Sequence, residues 1–204
     1  FTGCDRLSGF AEYFGGMDDA QRRQAWGATI PAERARSESA EVLFDAEFEQ
    51  LAAVLSERRL ARLSEIPDPV QRARVFAFPL QFERLRGGMR RFVQTLFEPD
   101  PREESPLLRG FYLTSAAPGT DAVDYVARPA AQALGLRLSA GPAPPPIPAG
   151  AWFVHDLLTG VVFRDAALAT PSSQAEAGRR RRRLVMAGVL GLVFLALVLG
   201  LSVL

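Results

Sequence analysis

The segment FTGCDRLSGF, residues 1–10, joins a short apolar stretch to an aspartate and then to a helix-like continuation. Its first four residues predict the end of a strand, and Asp5 follows at the turn into the next helix. In open α/β sheets, ligands bind where the carboxyl ends of strands meet the helices that follow them. We therefore predict an α/β fold with Asp5 at such an edge.

A second segment repeats this arrangement much later in the chain. The sequence LLRGFYLTSAAPGT, residues 107–120, places apolar, aromatic and β-branched residues before a run of small ones. This pattern predicts a strand near residues 110–114 and a loop over 115–120. Ser115 and Ala116 then lie at a strand end, as Asp5 does.

Helices are predicted to make up most of the chain between these two strand ends. Residues 37–64 carry apolar side chains at spacings of 4, 3 and 4, which form one stripe of a long amphipathic helix (Phe44, Phe48, Leu51 and Leu55). A short helix is predicted over residues 70–78. Another is expected to begin at Pro79 and to carry a second stripe (Phe82, Leu85, Met89, Phe92 and Leu96). The residues around Gly27 and Pro31 are expected to end a short helix that Asp18 or its neighbour caps.

The last 21 residues, 184–204, contain no charged side chain. A helix of this length covers roughly 30 Å, the thickness of the hydrocarbon core of a bilayer. The sequence therefore predicts a single transmembrane helix. Five consecutive basic residues precede it (Arg179, Arg180, Arg181, Arg182 and Arg183). Basic residues beside a span stay in the cytoplasm, so residues 1–183 are predicted to be cytoplasmic and in contact with the lipid bilayer through this block.

Charge and residue usage exclude several classes of function. All 24 basic residues are arginine, and residues 1–178 hold 19 of them against 23 acidic residues, which argues against a nucleic-acid partner. Without a lysine this stretch has no P-loop. A single cysteine, Cys4, fits a reducing compartment and a small buried side chain. With His155 as the only histidine, neither a catalytic residue nor a metal site is predicted.

The two strand ends resemble known recognition loops. FTGCD resembles the base-recognition turn of GTPases, Asn/Thr-Lys-x-Asp, whose carboxylate accepts hydrogen bonds from a guanine edge. LTSAA, residues 113–117, resembles the Ser-Ala loop that supports the same base. The resemblance implies a nucleotide site at Asp5, Ser115 and Ala116, although Gly3 replaces the lysine. As an alternative, Asp5 caps the helix that follows it.

Four longer strings, in this order before the predicted span, are similar to the TssM/IcmF family of type VI secretion membrane proteins (residues 1–31, 76–82, 107–116 and 152–163). The family implies an incomplete GTPase-like domain with helical insertions, set in a bacterial inner membrane with the C-terminus facing the periplasm. The implied partners are TssL, TssJ, baseplate subunits and further copies of the chain. The implied cofactor is a guanine or adenine nucleotide. Both ends of the sequence are expected to continue into a longer protein.

This resemblance also organises the chain into predicted parts. The GTPase-like body with its helical insertion takes residues 1–138, and a proline-rich linker takes 139–150. A docking segment and polar spacer over 151–178 lead to the basic block at 179–183 and the transmembrane helix at 184–204. The implied function is a scaffold that docks membrane and baseplate subunits. The alternative is a nucleotide-dependent switch, although no enzyme activity is expected of this stretch itself.

Overall fold

Three extended segments lie side by side at the centre of the computed structural model, which describes residues 1–99, 106–115, 122–137 and 150–164. Strand β2 (Gly110–Tyr112) pairs antiparallel with β1 (Gly27–Thr29), with Ala28 opposite Phe111. Beyond β2, Thr114 forms a parallel bridge with Thr2, and the Thr114 N–H donates to the Phe1 carbonyl at 2.9 Å. Since successive N–H groups of a strand point to opposite sides, β1 and residues 1–2 flank β2 on its two edges.

Helices supply most of the remaining structure, so the fold is predominantly helical, as predicted. They are α1 (Phe10–Phe14), α2 (Asp19–Arg23), α3 (Ala32–Ser37), α4 (Ala40–Glu65), α5 (Pro69–Glu83), α6 (Arg86–Leu96) and α7 (Ala127–Ala133). A 3₁₀ turn spans Cys4–Arg6, and a π-helical turn spans Leu157–Val162. The elements up to Val161 belong to one compact unit.

Local sequence signals account for several of these boundaries. Asp18 accepts from the Gln21 N–H at 2.8 Å while the Gln21 side chain accepts from the Asp18 N–H at 3.0 Å, a reciprocal capping box that begins α2. Ser39 caps α4 through the Val42 N–H, and Asp68 caps α5 ahead of Pro69. The predicted cap at Asp18 is therefore confirmed.

The core is aromatic and lies between α4, α5 and the sheet. Five phenylalanines are fully buried, and the rings of Phe48 and Phe82 stack at 4.6 Å (Phe10, Phe44, Phe48, Phe78 and Phe82). Burying one such side chain contributes about 1.5–3 kcal/mol. The predicted stripe on α4 is largely confirmed, because Phe44, Phe48 and Leu55 are buried, whereas Leu51 is only half-buried.

The prediction that Gly27 ends a helix is wrong, because Gly27 begins β1. A Cβ atom at this position would lie 2.2 Å from the Phe111 carbonyl oxygen and 2.7 Å from the Tyr112 Cα. Only glycine allows the two strands to approach this closely. The pairing partner, β2, lies more than 80 residues away in the sequence, so no local pattern predicts this strand.

The predicted helix start at Pro79 is also wrong, because α5 continues through Pro79 to Glu83. Proline inside a helix removes one backbone hydrogen bond and usually breaks or kinks it. Here Phe78 and Phe82, on either side of Pro79, are both fully buried. Their packing holds the helix together across the proline.

The second predicted stripe is confirmed at Phe82 and Met89 but fails in the second half of α6. Met89 and Val93 are buried, whereas Phe92 and Leu96 are 56% and 55% exposed. Within α6 the buried face runs from Met89 to Val93, four residues on, so Phe92 and Leu96 lie on the exposed side. The Phe92 ring instead meets the Phe1 ring edge-on at 5.6 Å.

Several sequence-based predictions lie outside the described residues. These are Ala116, most of the linker at 139–150, the spacer, Arg179 to Arg183, and the span at 184–204. Within the described ranges, no helix is both long and apolar enough to cross a bilayer. The transmembrane helix and the GTPase-like character of the body stay predictions.

Candidate functional site

Asp5 lies where the first extended segment turns into the 3₁₀ turn Cys4–Arg6. Gly3 makes this turn possible with a left-handed φ of 80°, which residues with a side chain rarely adopt. The turn follows directly after the Thr2–Thr114 bridge. Asp5 is therefore fixed at the carboxyl end of that segment and is 8% exposed.

Ser115 lies at the carboxyl end of the neighbouring strand and contacts Asp5 directly. Its hydroxyl donates a hydrogen bond to Asp5 Oδ1, although the two residues are 110 positions apart. Ser115 is 1% exposed, and its backbone exchanges two hydrogen bonds with Trp152, at 3.1 and 2.7 Å. The structure thus brings together two of the three predicted recognition residues. Their role in binding a nucleotide stays a prediction.

The alternative role of Asp5 as a helix cap does not match this geometry. Helix α1 begins after Gly9, and no side chain caps it. Asp5 joins two strand ends through Ser115. A carboxylate in this place can hold the two ends in register.

Cys4 is a buried structural residue, as its sequence predicts. It is 5% exposed, and burial is the main reason that the pKa of its thiol is raised to about 11. Such a thiol is neutral at physiological pH and is a poor nucleophile. Within the described ranges, no cluster of His, Cys, Asp or Glu side chains could hold a metal ion.

Residues 123–125 are held in place by a residue that sequence reasoning missed. Gln81 of α5 is 1% exposed and uses both ends of its amide. Its Nε2 donates to Asp124 Oδ1 at 2.6 Å, and its Oε1 accepts from the Tyr125 N–H at 2.7 Å. The neighbouring Val123 N–H donates to the Arg6 carbonyl at 2.6 Å. Helix α5 is therefore linked through residues 123–125 to Arg6, the neighbour of Asp5.

Asp124 also stabilises the start of α7, because its Oδ1 accepts hydrogen bonds from the N–H groups of Val126 and Ala127. Partial burial acts to raise the pKa of its carboxyl group, but hydrogen bonds from Gln81 and from the N–H groups of Val126, Ala127 and Arg128 outweigh this and hold it below its usual value. Nothing local marks Gln81, since one glutamine on an amphipathic helix is usually solvated. Only the packing of α5 shows its role.

Residues 152 and 153 enter the core from the far end of the described chain. Trp152 is 2% exposed and Phe153 is 3% exposed, and the Phe153 N–H donates to the Arg22 carbonyl at 2.7 Å. The Arg22 guanidinium lies 5.2 Å from the centre of the Trp152 ring. Phe153 has a φ of 62°, which is rare for an aromatic residue and costs of order 1–3 kcal/mol. Burial of both rings holds this conformation.

Comparison with known proteins identifies the chain by family. The model of the IcmF-related N-terminal domain matches residues 1–191. A curated relative, the type VI secretion system component TssM1 of Pseudomonas aeruginosa, is 37% identical over 136 residues. That match covers 66% of this chain but only 12% of the relative. No solved structure matches the chain. The chain therefore belongs to the TssM/IcmF family and corresponds to its IcmF-related N-terminal domain.

Proposed function

We propose that this chain is part of an inner-membrane scaffold subunit of a type VI secretion apparatus. Membership of the TssM/IcmF family supports a role in this system. The structural observation that carries the scaffold role is the anchoring of Trp152 and Phe153 in the core. These residues precede the predicted basic block and span. A force on the membrane-proximal chain would therefore reach the folded body at a rigid point.

The anchor resists such a force by two means. Trp152 and Ser115 form a backbone bridge just beyond the carboxyl end of β2, so the load passes to β2 and its neighbours. The Trp152 ring also packs edge-on against Phe10 at 5.8 Å. Buried hydrogen bonds and packed rings open together and not one at a time, which suits a body that holds its position during assembly.

In this proposal residues 1–183 lie in the cytoplasm, and the C-terminus faces the periplasm. The cytoplasmic body contacts TssL, baseplate subunits and further copies of itself, while TssJ is met on the periplasmic side. The basic block lies against the lipid bilayer. No nucleic acid is involved, in keeping with the acidic balance of residues 1–178.

A topology experiment tests this arrangement. We expect alkaline phosphatase fused after Leu204 to be active and the same enzyme inserted in the 139–150 linker to be inactive, because the enzyme folds only outside the cytoplasm. Replacing Arg179 to Arg183 with glutamine should reduce the fraction of correctly oriented chains, since basic residues set orientation. The reverse pattern of activity would overturn the orientation.

The contact between Asp5 and Ser115 favours a second candidate function, a nucleotide-dependent switch. It joins the carboxyl ends of two parallel segments, the position at which α/β sheets bind ligands. A carboxylate there could accept hydrogen bonds from a guanine edge, with Ser115 and Ala116 supporting the base. Gly3 supplies no lysine stem, so the nucleotide class remains guanine or adenine in this proposal.

Substitution of Asp5 separates the scaffold from the switch. Asp5→Asn keeps an oxygen that can accept from Ser115, so under the scaffold proposal it should leave stability and secretion unchanged. Asp5→Ala removes the hydrogen bond and should cost about 1–3 kcal/mol, since a buried hydroxyl loses its partner. If the chain reads a base, Asp5→Asn should instead weaken GTP binding by about 1.5–3 kcal/mol.

Both variants should be compared with Asp156→Asn, whose side chain is 48% exposed. Nucleotide affinity is measured on the full-length protein by titration calorimetry, and secretion by release of an effector. We expect Asp5→Asn to behave like the control. A clear loss of secretion, in a variant that still folds and reaches the membrane, would exclude a pure scaffold and favour the switch.

A further inference from the structure

A groove of about 410 Å³ runs between the second half of α4 and the loop that joins α1 to α2. We call it the α4 groove, and six of its residues define it (Met17, Trp26, Leu51, Val54, Arg58 and Phe153). Its floor is apolar and partly aromatic. It lies away from Asp5 and Ser115, neither of which lines it.

Helix α4 has two faces along this stretch. Phe48, Ala52 and Leu55 face the core and are buried. Leu51, Val54 and Arg58 follow each other at spacings of 3 and 4 on the flank that borders the groove. Val54 is 45% exposed. On this flank Leu51 packs partly against the core, whereas the apolar side chain of Val54 faces the groove and stays exposed.

Two arginines at the groove differ in what they contact. Arg62 donates to the carbonyl oxygens of Tyr13 at 3.0 Å and Glu12 at 3.2 Å, and it pairs with Glu65. The positive charge of Arg62 is therefore already paired with Glu65 and with these carbonyl oxygens. Arg58 is exposed, and within the described ranges its guanidinium makes no hydrogen bond or ion pair. The groove therefore combines an apolar floor with one uncompensated positive charge at its margin.

We propose that the α4 groove docks an amphipathic helix of a partner protein, which places a large apolar side chain in the groove and an aspartate or glutamate one turn away against Arg58. The part of α4 that lines the groove, from Leu51 to Glu65, is about 22 Å long, which suits a helix lying along α4. An apolar anchor beside a matched charge is a common way to combine affinity with specificity. This inference rests on the proposed scaffold role and gives one of its docking surfaces.

Site-specific photocrosslinking in the full-length protein, in cells, tests the docking. The photoreactive residue p-benzoylphenylalanine replaces Val54, and in the matched control it replaces Leu60, which is on the same helix, is 68% exposed and does not line the groove. We expect the Val54 probe to crosslink one partner protein and the Leu60 probe not to crosslink it. The captured peptide should contain a large apolar residue with an acidic residue within one turn.

Charge reversal then tests the role of Arg58. Arg58→Glu should lower the yield of the Val54 crosslink about tenfold, because like charges at a contact strongly disfavour binding. Reversing the acidic residue of the captured peptide to arginine should restore the yield. Arg91→Glu, an exposed arginine on α6 outside the groove, is the charge-matched control and should have no effect.

The docking proposal is wrong if Leu60 captures the same peptide, if Arg58→Glu leaves the yield unchanged, or if the Val54 probe captures only lipid or another part of the same chain. The scaffold role has a separate readout. Deleting the gene for the full-length protein should abolish effector secretion, and normal secretion after deletion would refute the scaffold whatever the groove binds. If deletion abolishes secretion but Arg58→Glu leaves the Val54 crosslink unchanged, the docking proposal is refuted and the scaffold proposal is not.

Discussion

Arg74→Met is expected to destabilise the chain by about 3–5 kcal/mol, because it leaves a buried carboxylate without its cation. Arg74 of α5 pairs with Glu12 of α1 at 2.7 Å, and the Glu12 side chain is only 1% exposed. One Glu12 oxygen, Oε2, already has no hydrogen-bond partner within the described residues. The pair thus depends on Arg74, and the loss is measured by urea denaturation of the purified chain.

Two further variants make this experiment specific. Arg72→Met, at an exposed position on the same helix, should change the free energy of unfolding by less than about 0.5 kcal/mol. Combining Arg74→Met with Glu12→Leu removes both charges and should recover most of the loss, since an apolar pair can replace a buried ion pair. Equal stabilities for Arg74→Met and Arg72→Met would show that Glu12 does not need Arg74.

Trp152→Ala is expected to cost about 3–5 kcal/mol, the usual loss for truncating a large buried aromatic side chain. The ring is 2% exposed, packs on Phe10 and lies under the Arg22 guanidinium. Its removal leaves a cavity at the point where the chain toward the predicted span enters the core. The free energy of unfolding is again measured with urea, and effector secretion is measured beside it.

Two matched controls show whether the loss of stability comes from the buried position of Trp152 or from removing side-chain volume anywhere in this region. Leu158→Ala, 40% exposed in the π-helical turn, should cost less than about 1 kcal/mol. Trp152→Phe keeps an aromatic ring at the bridge with Ser115 and should retain more stability than alanine. If the scaffold transmits force through this anchor, secretion should follow the same order. Full secretion by Trp152→Ala would contradict the anchor while leaving the family assignment intact.

Local patterns in the sequence were enough to predict the parts that depend on neighbouring residues. The helix cap at Asp18, the buried stripe at Phe44 and Phe48, the strand near residue 110 and the burial of Cys4 all follow from spacing, propensity or burial preference. Such signals work because the residues that make the contact lie within one or two turns of each other. The turn after Thr2 and the position of Asp5 at a strand end belong to the same class.

Contacts between distant residues were decided only by the tertiary structure. Gln81 and Asp124 lie 43 residues apart in the sequence, Arg74 and Glu12 lie 62 apart, and Ser115 and Asp5 lie 110 apart. Strand β1, the continuity of α5 through Pro79 and the burial of Trp152 likewise depend on elements that other parts of the chain supply. Spacing along the chain cannot reveal them, because a buried polar group or a strand edge is stabilised by whichever distant partner the packing brings to it.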